Sequence, residues 1–79
     1  MKKKLYPELN ELKGFLRARK LTYRKIAEKI NMRPQTFSDK VNGYSAIDTN
    51  FICDVCNQAN IPETDIVKFF LPQMLRNAT

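Results

Sequence analysis

The residues best suited to chemistry are four polar side chains between a proline and a glycine, namely Gln35, Thr36, Ser38 and Asp39. Amide, hydroxyl and carboxylate groups of this kind donate and accept hydrogen bonds and can reach the edges of nucleic-acid bases. Phe37 and Val41 lie four residues apart, which places them on one face of a helix and the polar groups on the outer face. The segment therefore predicts a short helix with a hydrogen-bonding surface, ending at Gly43.

A second short helix is predicted immediately before this one. Thr22 can cap its first free N–H groups, and Leu21 can pack on Ile26 as a hydrophobic staple. Its apolar residues recur at helical spacing, at Ile26, Ala27 and Ile30. Asn31 tolerates the left-handed conformation that often ends a helix, and Pro34 suits the first position of the next helix. A tight corner is therefore predicted between the two helices.

Three further helices are predicted around this pair, at residues 7–19, from Asp48 to a corner at residues 60–62, and at residues 62–70. The first turns four residues inward, namely Leu9, Leu12, Phe15 and Leu16. The fourth begins at an Asp48 cap and has on its core face Ile52, Val55, Cys56 and Ala59. The last offers to the core Ile66, Phe69 and Phe70. The pattern predicts an all-α fold.

Length and composition predict one soluble domain over residues 1–79, with a flexible basic arm at residues 1–6 and an unassigned tail at residues 72–79. No apolar stretch approaches the 18 or more residues of a membrane span, and the lysines after Met1 are not followed by the apolar run of a signal peptide. We therefore expect a cytoplasmic protein.

Positive charge is concentrated in the part of the chain that contains the two short helices. The whole chain has 14 Lys and Arg against 8 Asp and Glu, a net charge of +6. Up to Gly43 there are twelve basic and four acidic residues, whereas from Tyr44 onward there are two basic and four acidic. Such asymmetry is typical of a protein with one face toward a polyanion. The alternative is a basic surface that is merely solvated.

The sequence contains few residues of the kinds that catalysis or metal binding requires. Cys53 and Cys56 have C-x-x-C spacing, but the chain contains no other cysteine and no histidine to complete a zinc site. We expect two reduced, partly or fully buried thiols. No glycine-rich phosphate loop or buried pair of acids is indicated. The sequence predicts neither an enzyme nor a cofactor, metal or small-molecule ligand.

The chain resembles the phage Cro/repressor family, the XRE-like helix-turn-helix DNA-binding domains, over residues 9–70. The resemblance is carried first by the paired helices, at Ile26, Ala27, residues 30–32, Phe37, Val41, Asn42 and Gly43. It continues in the later helices, at Ile52, Val55, Cys56, Ala59, Ile61, Ile66, Phe69 and Phe70. It implies a compact five-helix lambda-repressor-like domain with the helix-turn-helix at helices 2 and 3.

Three residues depart from the family pattern. Asn31 stands in place of the usual corner glycine. Pro34 stands where relatives often have a polar residue that contacts a base or phosphate, so that contact is lost here. Lys40 stands where many members have an apolar core residue, and Val41 takes over the packing.

The resemblance implies major-groove docking, with side chains of the third helix on base edges. Gln35 suits a bidentate pair with adenine, Asp39 can accept from a cytosine amino group, and Thr36 suits a thymine methyl. Arg33 can reach guanine or phosphate, and Ser38 is a weaker candidate for either role.

Residues that flank this helix are assigned to the phosphates by the same resemblance, namely Tyr23, Arg24, Lys40, Asn42 and Tyr44. The arm of Lys2, Lys3 and Lys4 can wrap around DNA. Alternatively, Asp39 stays solvated and the terminal lysines have no specific role.

Family operators are nearly palindromic, so a homodimer on half-sites about one helical turn apart is expected. The candidate dimer surface comprises Phe70, Leu71 and Leu75, for which the alternative is the domain core. The function predicted is a transcriptional regulator of double-stranded DNA, a phage or prophage Cro-like repressor. Two alternatives remain: a protein-interaction module such as an antitoxin or antirepressor, and a non-specific nucleic-acid binder.

Overall fold

Apolar residues at helical spacing fold this chain into five α-helices in the computed structural model, which describes residues 3–72. The helices are α1 (Asn10–Ala18), α2 (Tyr23–Lys29), α3 (Pro34–Asn42), α4 (Thr49–Ala59) and α5 (Ile66–Phe70). A 3₁₀ turn (Glu63–Asp65) leads into α5. The described residues contain no strand. The Cα radius of gyration is 12.0 Å, close to the value of about 12 Å for a folded chain of this length.

The predicted starts of α2 and α4 are confirmed by side-chain caps, whereas α5 begins at Ile66, after the 3₁₀ turn, and not at residue 62. The Lys25 N–H donates to Thr22 Oγ1 at 3.2 Å, which caps α2. The Phe51 N–H donates to Asp48 Oδ1 at 2.8 Å, which caps α4. Each bond satisfies one of the free N–H groups at a helix start. Pro34 is the first residue of α3, as its fixed φ predicts.

The predicted helix ends are also confirmed. Asn31 and Asn60 adopt left-handed backbone conformations, with φ of 57° and 56°. Gly43 follows α3 with φ of 91°, a conformation that glycine adopts at least cost. These three residues turn the chain after α2, α4 and α3, so each helix ends where its sequence predicts.

The start of α1 differs from the prediction, because residues 5–9 are not helical and form an N-terminal strap that is hydrogen-bonded to the end of α3. The Leu5 and Tyr6 N–H groups donate to the Gly43 carbonyl at 2.9 and 3.0 Å, and the Leu9 N–H donates to the Val41 carbonyl at 2.9 Å. These bonds satisfy carbonyls that the end of a helix leaves free. Helix α1 therefore begins at Asn10, and the predicted arm is anchored to the domain from Leu5 onward.

Among residues 3–72, thirteen apolar side chains form one buried core, at Leu9, Leu12, Leu16, Ile26, Ala27, Phe37, Val41, Phe51, Val55, Ala59, Ile61, Phe69 and Phe70. Phe51 was not predicted, because it and Ile52 both fit a helical repeat with Val55. The structure buries Phe51 and leaves Ile52 half-buried. Three aromatic rings then run in contact through the core: Phe37 and Phe51 have centroids 5.5 Å apart, and Phe51 and Phe70 have centroids 6.3 Å apart.

Phe70 is core and not the exposed dimer contact that was one of its two predicted roles. Its exposed fraction is 1%, and it meets the Phe51 ring edge-on at 87°. An aromatic side chain buried this completely has no surface to offer a second chain. Leu71 is half-buried, and Leu75 lies outside the described residues. Within residues 3–72, no helix is long and apolar enough to span a membrane.

Candidate nucleic-acid interface

The corner between α2 and α3 fixes the position of α3. Ala27 is completely buried, and its small side chain allows the two helices to approach closely. Its carbonyl accepts a hydrogen bond from the Met32 N–H at 2.8 Å, beyond the turn at Asn31. The Tyr23 ring of α2 packs on the Phe37 ring of α3, with centroids 5.3 Å apart. Helix α3 is therefore held to α2 by its buried face, and its other face is left to solvent.

Gln35 and Asp39, one turn apart on the outer face of α3, are hydrogen-bonded to each other. The Gln35 Nε2 atom donates to Asp39 Oδ1 at 2.9 Å. Only the NH₂ end of the amide can face a carboxylate, so the bond directs the amide oxygen of Gln35 away from Asp39. These residues were predicted to contact separate bases, and the bond between them was not predicted. The signal was present, because glutamine and aspartate four residues apart form such bonds on helices.

The other predicted base contacts differ in exposure. Arg33 and Thr36 are exposed, with Arg33 at the entrance of α3, whereas Ser38 is half-buried. The Asn42 Nδ2 atom donates to Ser38 Oγ at 3.1 Å. This bond brings together a predicted base contact and a predicted phosphate contact in the last turns of α3.

The Lys40 side chain binds the loop between α3 and α4. Its Nζ donates to the Ala46 carbonyl at 2.7 Å and lies 5.6 Å from the centroid of the Phe51 ring. Val41 is completely buried, which confirms that it packs in the core beside this lysine. The Lys40 ammonium, predicted at a phosphate, is therefore engaged by its own loop.

Tyr44 and the described part of the basic arm meet at the end of α3. The Lys4 Nζ lies 5.9 Å from the centroid of the Tyr44 ring, and Lys4 also forms an ion pair with Glu8. The Tyr44 N–H donates to the Asp39 carbonyl at 2.9 Å. Lys3 is exposed, and Lys2 lies outside the described residues. The structure thus brings the root of the arm beside one predicted phosphate contact.

The remaining predicted phosphate contacts lie on α2. Arg24 is exposed and Tyr23 is half-buried. Burial raises the pKa of the Tyr23 hydroxyl, and the nearby Arg17 charge opposes that rise. Tyr23 therefore stays protonated at neutral pH, and its hydroxyl can donate to an anion.

The cysteines differ from each other in exposure. Both are free thiols; Cys56 is half-buried as predicted, whereas Cys53 is exposed, which corrects the prediction that both are at least partly buried. Burial, and secondarily the neighbouring Cys53, raises the pKa of the Cys56 thiol. Within residues 3–72, no three His, Cys, Asp or Glu residues are grouped so as to hold a metal ion.

Comparisons with protein-family models, with curated proteins and with solved structures give no match to this chain.

Proposed function

We propose that this chain is a sequence-specific regulator of transcription, similar to the Cro-like repressors of phages, that binds double-stranded DNA. In this proposal α2 and α3 form a helix-turn-helix, and α3 enters the major groove. The observation that carries the proposal is the pair of faces on α3. Phe37 and Val41 are completely buried, while the hydrogen-bonded Gln35 and Asp39 lie on the outer face.

The Gln35–Asp39 bond supports base recognition because it orients the glutamine amide. One N–H of Gln35 is used by Asp39, so the second N–H and the amide oxygen remain for a ligand. That donor and acceptor match N7 and the amino group of adenine. The Asp39 carboxylate has further lone pairs and can accept from a cytosine amino group. Thr36 offers its methyl group to thymine.

Positive charge around α3 supports the backbone part of the interface. Arg33 is exposed at the entrance of α3, and Arg24 is exposed on α2. The exposed Lys4 lies beside Tyr44 near the end of α3, and the exposed Lys3 precedes it in the chain. Contacts of this kind set the orientation of a protein on DNA and make its affinity depend on salt. Lys40 can join them only by leaving the Ala46 carbonyl.

A homodimer on a nearly palindromic operator is part of the proposal. With Phe70 in the core, the apolar surface near the end of the described chain includes a pocket of about 160 Å³ at whose base Phe70 lies and whose other lining residues include Tyr6, Ile47 and Leu71. Leu5 and Tyr6 are 66% and 46% exposed. These side chains are therefore better candidates for the contact between subunits than Phe70.

The experiment that tests this function is selection of bound duplexes from a random DNA pool at near-physiological salt. Enrichment of a short inverted repeat is the expected result, because each subunit of a dimer contacts one half-site. Binding without enrichment would indicate a non-specific binder. Absence of DNA binding would favour a protein-interaction module instead.

A further inference from the structure

We propose that a basic groove between α1 and α2 binds a backbone phosphate of duplex DNA and so extends the interface on α3. The groove is lined by Lys13, Arg17, Lys20 and Tyr23, with Leu16 and Leu21 between them. None of the three cations has a role in the interface described above. The choice of DNA as the source of the phosphate rests on the proposed function.

The cations of the groove are poorly compensated by acids. Lys13 pairs with Glu8, with 3.4 Å between Nζ and Oε2. Arg17 and Lys20 are exposed, and among residues 3–72 neither has an ion-pair partner. Lys13 and Arg17 are four residues apart on α1, where like charges repel. A bound phosphate would relieve this repulsion and accept hydrogen bonds from both side chains.

The backbone of Lys20 gives a second, independent observation. Helix α1 ends with the Leu21 N–H donating to the Leu16 carbonyl at 2.8 Å and the Lys20 N–H donating to the Arg17 carbonyl at 3.0 Å. Lys20 takes the left-handed position of this arrangement, with φ of 58°. Glycine adopts that position at least cost, whereas a side chain strains it. Lys20 therefore keeps a conformation of higher energy at a position that lines the groove together with Arg17.

Tyr23 connects the groove to α3. Its ring packs on Phe37 of α3, and the charge of Arg17 acts on its hydroxyl. A phosphate in the groove can accept a hydrogen bond from this hydroxyl and an ion pair from Arg17. The groove therefore adjoins the helix that is proposed to enter the major groove.

The test is the salt dependence of binding to a short duplex, measured by fluorescence anisotropy for Arg17→Gln, Lys20→Gln and the double variant. Each lost phosphate contact should lower the slope of log affinity against log salt by about 0.9. If both cations contact phosphate, the double variant should bind about 30-fold more weakly at about 0.15 M salt, from the same relation.

The control is Lys68→Gln, which removes the same charge from α5. There the Lys68 Nζ atom lies 3.9 Å from Glu11 Oε2. A slope change no larger than that of the control would overturn the proposal. A free phosphorylated ligand would be indicated by saturable binding of inorganic phosphate together with an unchanged slope on DNA, and this would also contradict the proposal.

Lys20→Gly separates a role in binding from a role in folding. Relief of the left-handed strain should raise Tm by a few degrees, while loss of the ammonium should lower the salt slope. A higher Tm with an unchanged slope would exclude Lys20 from the site. Because the slopes can be measured on a random duplex, they remain informative even if selection yields no operator. Conversely, if an operator is enriched but the Arg17 and Lys20 variants keep the salt slope of the unchanged protein, the phosphate site in the groove is refuted and the proposed function is not.

Discussion

Removal of the Asp39 carboxylate should weaken specific DNA binding chiefly through its effect on Gln35. A glutamine–aspartate hydrogen bond at this spacing stabilises a helix by only about 0.2–0.5 kcal/mol, and alanine is the better helix former. We therefore expect the loss of this bond to change the free energy of unfolding by less than about 0.5 kcal/mol. Fixing a free glutamine side chain costs up to about 1.5–2 kcal/mol. The bond already restricts Gln35 in the unbound protein.

Specific affinity should accordingly fall by about 1–2 kcal/mol in Asp39→Ala, from the lost restriction of Gln35 and any lost base contact. The assay is a double-mutant cycle of Gln35→Ala and Asp39→Ala, measured by anisotropy on the selected operator and on a scrambled duplex. The scrambled duplex corrects for the change of charge. Glu28→Ala is the matched control, because it removes the same charge from an exposed position on α2.

The cycle refutes the reasoning if the two substitutions are additive in specific binding. Distant, independent sites add within about 0.3–0.5 kcal/mol, whereas coupled residues deviate by about 0.5–3 kcal/mol. Additive losses would mean that Gln35 and Asp39 contact bases separately. Equal losses on both duplexes would remove Asp39 from base recognition altogether.

Three other outcomes test the fold and its thiols. Gly43→Ala should destabilise the domain by about 2–4 kcal/mol in urea unfolding, because φ is 91° and an added Cβ would meet the Tyr6 carbonyl. Gly14→Ala is the control: its Cβ meets open space, so it should stabilise the domain by about 0.5–1 kcal/mol. Similar effects of the two substitutions would contradict this account. Phe70→Ala should cost about 3–5 kcal/mol at any protein concentration, whereas a loss confined to low concentration would return it to a dimer surface. Cys53 should react with a thiol reagent faster than Cys56, whose pKa is raised by burial, and the reverse order in mass spectrometry of the labelled protein would count against that burial.

The parts of the fold that follow from local physics were predicted from the sequence. The caps at Thr22 and Asp48, the left-handed turn at Asn31, the corner that begins at Asn60 and the proline start of α3 each depend on neighbours within a few residues. Short-range hydrogen bonds and backbone preferences decide such features. The buried pair of Phe37 and Val41 follows from the same helical spacing.

The parts that depend on distant residues were not predicted. Nothing near Leu5 or Tyr6 in the sequence indicates that their N–H groups bond to Gly43. Phe51 and Ile52 are adjacent and both fit a helical repeat, so only packing against other helices selects Phe51 for the core. For Phe70 the sequence left two roles open, core or dimer surface, and packing against Phe51 selects the core. In the candidate interface, the Gln35–Asp39 pair could be found from spacing, whereas the loop bond of Lys40 depends on the path of residues 43–48.

The N-terminal strap has a consequence for the order in which this domain folds. Its hydrogen bonds join residues 5–9 to the end of α3, so they close a loop of about 37 residues, at an entropic cost of roughly 3 kcal/mol. The contacts between α2 and α3 span far fewer residues and form at lower cost. Residues 5–9 are therefore among the last to dock, and the amide protons of Leu5 and Tyr6 should exchange with solvent before those of the helices they join.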